Sequence, residues 1–131
     1  MTGMTGPRLS PVEELTREYF AAREVSPAHL KRELEGLVTD DFRWQASGYP
    51  DVHGKAAMLE LIDKQSATDY QRSEIEILKI ACGDGFALTE RVDTMYDSVG
   101  AVIASVKLMG RIDVRDGKVS LHRDYFDPSG H

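Results

Sequence analysis

The sequence predicts an α+β domain in which helices gather on one face of a curved antiparallel sheet. Three observations carry this. Apolar residues recur at helical spacing through most of the first half of the chain, and they alternate at strand spacing through the second half. No strand–helix–strand alternation and no glycine-rich phosphate loop is present, which argues against a dinucleotide-binding plan.

The elements follow in order. Residues 1–9 are small and polar, with Met-Thr-Gly written twice, and are expected to be a flexible lead. Ser10, Pro11 and Glu13 then form a helix start: a hydroxyl cap, a proline at the first helical position and a glutamate three residues after the cap. Val12, Leu15, Tyr19 and Ala22 follow on one helical face. Ser26-Pro27 repeats the device, and Leu30, Leu34 and Leu37 define a second helix. Phe42 to Gln45 reads as an early strand, 48–54 as a loop, and Lys55 to Gln65 as a third helix through Met58, Leu59 and Ile62. Strands follow: one around Ile75, Ile77 and Leu78, then Phe86 to Tyr96, Ala101 to Val114 and Val119 to Phe126. Gly83-Asp84-Gly85 and Asp116-Gly117 supply the turns. Residues 128–131 read as a frayed tail, leaving 10–127 as one domain, and a curved sheet closed by three helices leaves a central pocket.

Composition narrows the function. A chain of 131 residues fits one domain, and 41% hydrophobic with 29% charged residues can both fill a core and solvate a surface. The net charge is -6, with Lys and Arg scattered, so nucleic-acid binding has no electrostatic support. No apolar run approaches the roughly 18 residues that cross a bilayer, and no secretory signal is visible at the start. The single Cys82 cannot make an internal disulfide, in keeping with a cytoplasmic location. His29, His53, His122 and His131 are dispersed without metal-ligand spacing, so no metal site is expected.

Charges inside strands are the informative feature. Residues two apart share a strand face. One face of Phe86–Met95 carries Ala87, Thr89, Arg91, Asp93 and Met95; the other carries Phe86, Leu88, Glu90, Val92 and Thr94. Pointing outward, Arg91 and Asp93 are a bland surface pair. Pointing inward, they are buried charges that must be partnered. In the last strand Ser120, His122, Asp124 and Phe126 share one face, with Val119, Leu121, Arg123 and Tyr125 opposite. Asp124 is either a structural carboxylate or a site residue.

Thr89-Glu90-Arg91-Val92-Asp93 and Arg123-Asp124-Tyr125-Phe126-Asp127 resemble the two signature segments of limonene-1,2-epoxide hydrolases. The resemblance implies the cone fold shared with nuclear-transport-factor-2-like proteins, ketosteroid isomerases and polyketide cyclases. It also implies a cofactor-free reaction on a small apolar epoxide, terpenoid-like or polyketide. Asp124 would be the base that takes a proton from water, Asp93 the acid that protonates the epoxide oxygen, and Arg91 the cation between them. Trp44, Ala46, Tyr49, Met95, His122 and Phe126 would line the substrate site. That family also places a Tyr and an Asn on the early strand to aim the water, where this chain has Trp44 and Ala46. An indole only donates, and Ala46 offers no polar group. Either Gln45, Tyr49 or His53 takes the role, or water is held loosely, or a substrate hydroxyl replaces water and the product is a ring. An isomerase or dehydratase, and a binding module without turnover, are the remaining readings of this fold. Phe86, Leu88 and Val92, with Val102, Ala104, Val106 and Leu108, suggest an outer apolar face that a second copy would cover as a homodimer.

Overall fold

The computed structural model describes residues 9–129. Most of the expected flexible lead (1–8) and part of the expected frayed tail (130–131) therefore lie outside the described residues. Helix α1 spans Pro11–Ala21 and runs into a short 3-10 turn, Ala22–Glu24; α2 spans Pro27–Leu37. Both starts obey the serine–proline signal. Ser10 Oγ accepts from the Glu13 amide and Ser26 Oγ from the His29 amide, each at 3.1 Å. Strand β1 (Val38–Ala46), the two-residue β2 (Val52–His53) and helix α3 (Lys55–Ser66) follow. Strands β3 (Tyr70–Gly83), β4 (Phe86–Asp97), β5 (Val102–Arg115) and β6 (Lys118–Tyr125) complete the chain.

The six strands lie in one curved sheet in the order β2-β1-β6-β5-β4-β3. From β3 to β6 the sheet is an antiparallel meander. Its last hairpin closes through Asp116 (φ 54°) and Gly117 (φ 75°), the pair of left-handed residues a tight two-residue turn requires. Strand β1, however, joins β6 in parallel, so the sheet is mixed rather than wholly antiparallel. Parallel neighbours need a long crossover, and here it consists of α3 and the strands β3 to β5. The segment read as a loop between β1 and α3 contains β2, which pairs Val52 with Trp44 and His53 with Arg43.

Four register shifts interrupt the meander, and two of them decide which residues face inward. A register shift between Ile77 and Lys79 leaves Leu78 half exposed and returns Ile80 to the inner face. A second shift, between Asp113 and Val114, accommodates Ser120, whose hydroxyl donates to the Asp113 carbonyl at 3.3 Å. Strict alternation assigns Val119 to the face opposite Asp124. The extra residue resets the phase, and Val119 and His122 are both buried inside.

The helices cover the concave face of the sheet. Tyr19, Phe20, Leu34, Val38, Phe42, Ile62, Ala87, Ile112 and Val119 form the fully buried centre. Each large apolar side chain among them contributes about 1.5–3 kcal/mol by leaving water. On the convex face the apolar set differs from the expected one. Leu108 pairs with Arg91 and Val106 with Asp93, so both point inward and are buried. Of the expected set Phe86, Leu88 and Val102 are exposed, and Ile103, Met109 and Tyr125 are exposed besides.

Candidate active site

Strand β4 turns Ala87, Thr89 and Arg91 inward, all at most 1% exposed. A guanidinium this deep must spend its donors on acceptors, and it does. Arg91 Nη1 donates to Thr89 Oγ1 at 3.0 Å. Nε and Nη2 donate to the two carboxylate oxygens of Asp93 at 3.1 and 2.9 Å, a bidentate pair within one strand. Nη2 also donates to Asp124 Oδ2 at 2.9 Å, which bridges the two carboxylates through one nitrogen. The Phe20 ring lies 4.2 Å from the guanidinium carbon and closes the site from the helix side. The Asp93 side chain is 20% exposed against 8% for Asp124, so the cluster meets the surface through Asp93.

Asp124 is set by its own strand and by a glycine. It lies opposite Ala46 on β1 and Gly110 on β5. A Cβ on Gly110 would stand 2.5 Å from Arg91 Nη1 and nearer still to Asp124 Oδ1. The ion pair therefore occupies the space a side chain would fill, and only glycine permits the approach. Asp124 Oδ2 also accepts from His122 Nε2 at 2.8 Å, and the other ring nitrogen of His122 lies 2.8 Å from the Tyr19 hydroxyl. Asp124 Oδ1 is buried without a hydrogen-bond partner. At the end of the strand the Ser47 amide donates to the Asp124 carbonyl at 3.1 Å, and Ser47 Oγ accepts from the Phe126 amide at 3.2 Å.

Burial alone would raise the Asp124 carboxyl, but His122 and Arg91 outweigh it and hold Asp124 below the usual carboxylate range. Burial pushes His122 down, against the pull of Asp124, and the imidazole is neutral near pH 7. Burial also raises the Tyr19 phenol, which stays protonated. Arg91 is held charged: burial works against the charge, and Asp93 and Asp124 more than offset it. Acid should therefore destabilise the fold in two windows. Below about pH 6.5 the unfolded chain protonates a histidine that the folded chain keeps neutral. Below about pH 4 the unfolded chain protonates Asp124 while the folded chain still resists. The expected result is a melting temperature that falls from pH 7 to 5 and again from pH 4 downward. A flat profile between pH 7 and 5, followed by circular dichroism, would contradict the assignment of a neutral His122.

The charged residues singled out in the sequence come together, and the residues expected to line the site are spread along, or just after, β1, β4 and β6. Arg91, Asp93 and Asp124 form one hydrogen-bonded cluster. Trp44 is the β1 neighbour of His122, with ring centroids 6.5 Å apart. Tyr49 bridges Trp44 and Phe126, at 6.3 and 6.2 Å, so these three rings make one wall. Met95 lies two residues beyond Asp93, half-buried on the same face. Ala46 faces Asp124 directly. A cleft of about 280 Å³ lined by Gln45, Ala46, Ser47, Asp51, Arg123, Asp124 and Tyr125 opens at this end of β1 and β6. Of the residues considered for the water-orienting role, Gln45 is engaged by Asp51 and Arg123, His53 is exposed on β2, and Tyr49 is 55% exposed. Tyr19, Phe20, Thr89 and Gly110 were not anticipated as site residues. A tyrosine on an apolar helix face, which must partner its hydroxyl, and a glycine inside a strand are the signals that mark two of them. Among the described residues no group of three or more His, Cys, Asp or Glu side chains could hold a metal ion. Among them, too, no helix is long and apolar enough to cross a membrane.

Several known proteins resemble this chain. An LEH-like epoxide hydrolase from M. tuberculosis superposes with a TM-score of 0.77 at 21% identity, covering 92% of this chain and 86% of the other. A candidate SnoaL-like polyketide cyclase from Shewanella putrefaciens also reaches 0.77, at 11% identity and 93% coverage of each chain. An NTF2-like protein from Burkholderia xenovorans reaches 0.67 at 21% identity, again covering 93% of each. At these identities the likeness establishes the fold. No curated protein sequence matches the chain. The family described as the limonene-1,2-epoxide hydrolase catalytic domain matches residues 16–129, nearly the whole described structure and both charged strands. The chain belongs to the limonene-1,2-epoxide hydrolase family.

Proposed function

We propose that this protein opens a small apolar epoxide with water, using Asp124 as base and Asp93 as acid and no cofactor. The observation that carries the reading is the single Arg91 nitrogen held 2.9 Å from both Asp93 Oδ2 and Asp124 Oδ2. Asp124, kept ionised by its neighbours, takes a proton from the attacking water. The water oxygen bonds to a ring carbon, that carbon's bond to the epoxide oxygen breaks, and the departing alkoxide takes a proton from Asp93, the acid of the pair. Arg91 balances the carboxylate charge throughout and keeps both side chains aimed. Trp44, Tyr49, Phe126 and Met95 supply apolar surface for the substrate skeleton. Family membership and the M. tuberculosis epoxide hydrolase neighbour support this reading.

A second reading is favoured by one observation. Ala46 stands opposite Asp124 with no polar side-chain atom, and Trp44 beside it can only donate. A substrate hydroxyl positioned by its own skeleton needs no such help, and the same cluster would then close a ring. Conversion of an epoxide panel, with and without internal hydroxyls, in ¹⁸O water separates the two. Labelled diol from wild type supports hydrolysis. Unlabelled cyclic ether supports ring closure. Under either, Asp124→Asn should lower turnover by roughly 10²–10⁴-fold. Undiminished turnover in that variant would reject Asp124 as the base, and a wild type that converts nothing would favour a binding role.

A further inference from the structure

We propose that His122, held from behind by Tyr19, is the positioning residue that fixes the Asp124 carboxylate. This rests on the reading of Asp124 as the base. It goes beyond that reading by assigning the support of the site to an inner tyrosine–histidine strut instead of a polar pair on β1.

Three observations converge. The first is the distribution of partners on the carboxylate. Oδ2 accepts from both Arg91 Nη2 and His122 Nε2, at 2.9 and 2.8 Å, while Oδ1 is buried and accepts from nothing. The two donors on one oxygen fix the plane of the carboxylate. The second is the direction of the protons. An ionised Asp124 can only accept, so His122 Nε2 carries the hydrogen. Nδ1 of the neutral ring must then accept, and the Tyr19 hydroxyl, 2.8 Å away, donates to it. The chain runs one way, from hydroxyl to imidazole to carboxylate. Because Nε2 is already protonated, His122 cannot relieve Asp124 of the proton it takes. That proton stays on Asp124 until it leaves toward Asp93 or solvent, so His122 positions the base and does not relay.

The third is confinement. The imidazole stands edge-on to Tyr19 and Phe20, with centroids 5.4 Å away in each case, and to Trp44 at 6.5 Å. It is 3% exposed and has no room to turn. The titratable and charged groups around it are Tyr19 from α1, Arg23 from the turn after it, Arg91 from β4 and Asp124 on its own strand. Its β1 and β5 neighbours, Trp44 and Ile112, carry no charge. A base held this firmly compensates for Trp44 and Ala46, which do little to hold a nucleophile: the acceptor is fixed and the nucleophile comes to it.

The test is a ¹³C-carboxyl NMR titration of Asp124, assigned by its loss in Asp124→Asn, together with pH profiles of kcat and KM. Wild type would be compared with His122→Phe, His122→Gln and Tyr19→Phe. Removing a donor from an ionised carboxylate raises its pKa. In His122→Phe the Asp124 titration and the acid limb of kcat should therefore both move up by about one pH unit or more. The value of kcat should fall about tenfold or more while KM stays within about threefold. His122→Gln, which keeps an N–H donor, should recover most of both effects. Tyr19→Phe should shift them in the same direction by less. Identical Asp124 titrations in wild type and His122→Phe, or glutamine behaving no better than phenylalanine, would overturn the proposal. Should His122→Phe fail to fold, the glutamine and Tyr19→Phe variants decide on the same readouts. Should wild type open no epoxide, the assigned activity fails while the carboxyl titration still decides the role of His122.

Discussion

Arg91→Met is expected to cost the folded state about 3–5 kcal/mol, the typical loss when one partner of a buried ion pair is removed. The substitution keeps an unbranched stem but removes the guanidinium that lies over the Phe20 ring, so the loss reports the ion pairs together with that ring contact. What remains is Asp93 and Asp124 without the guanidinium that donates to both. Asp124 keeps only the His122 donor. Urea unfolding at pH 7 measures the effect. Adding Asp124→Asn to Arg91→Met should recover part of the loss, because it removes the stranded charge. A single variant within about 1 kcal/mol of wild type would mean that the cluster is hydrated and the buried-charge account is wrong.

Gly110→Ala is expected to cripple the site while leaving the backbone free of strain. The φ of Gly110 lies outside the left-handed region, so alanine meets no conformational objection there. Its methyl group, however, would claim the space of Arg91 Nη1 and Asp124 Oδ1 and crowd the Arg123 carbonyl at 3.3 Å. Overpacking of this kind costs about 1–3 kcal/mol. Displacing a catalytic pair by about 1 Å is enough for a 10²-fold loss of turnover. Gly36→Ala is the matched control: no atom lies within 4 Å of its added methyl, and a helical glycine replaced by alanine gains up to about 1 kcal/mol. Comparing urea midpoints and turnover of the two variants isolates the steric term. Wild-type activity in Gly110→Ala would show that the Arg91–Asp124 contact is dispensable.

What sequence reasoning reached and what it missed divide along the range of the interactions. The serine caps, the Asp116-Gly117 turn and the helix faces around Leu30, Leu34 and Ile62 are set within a few residues and were legible. Arg91, Asp93 and Asp124 stood out because charges on an otherwise apolar strand face demand partners. The parallel seam between β1 and β6 was not legible, since nothing local distinguishes a strand that will run parallel from one that will not. Val119 was misplaced because alternation assumes an unbroken ladder and the bulge at Ser120 breaks it. Val106 and Leu108 were placed outside because an apolar run on β5 shows no face until its register with Arg91 and Asp93 is known. Tyr19 lay in plain view as a core position, but the partner of its hydroxyl is 103 residues away.

The topology also dictates an order of assembly. Arg91 and Asp124 are 33 residues apart and are joined through the β4–β5 and β5–β6 hairpins, which close over short loops. Gln45 and Arg123, linked across the β1–β6 seam, are 78 residues apart. Loop-closure entropy therefore favours the hairpins first and the seam later. The salt cluster can meet while still bathed in solvent, before Trp44 and Ala46 arrive to wall it off. Dehydration of the ions then falls on the step in which β1 docks. The residues that give the site its dry side should set the barrier to folding, and the residues that give it its charge should set the cost of crossing that barrier.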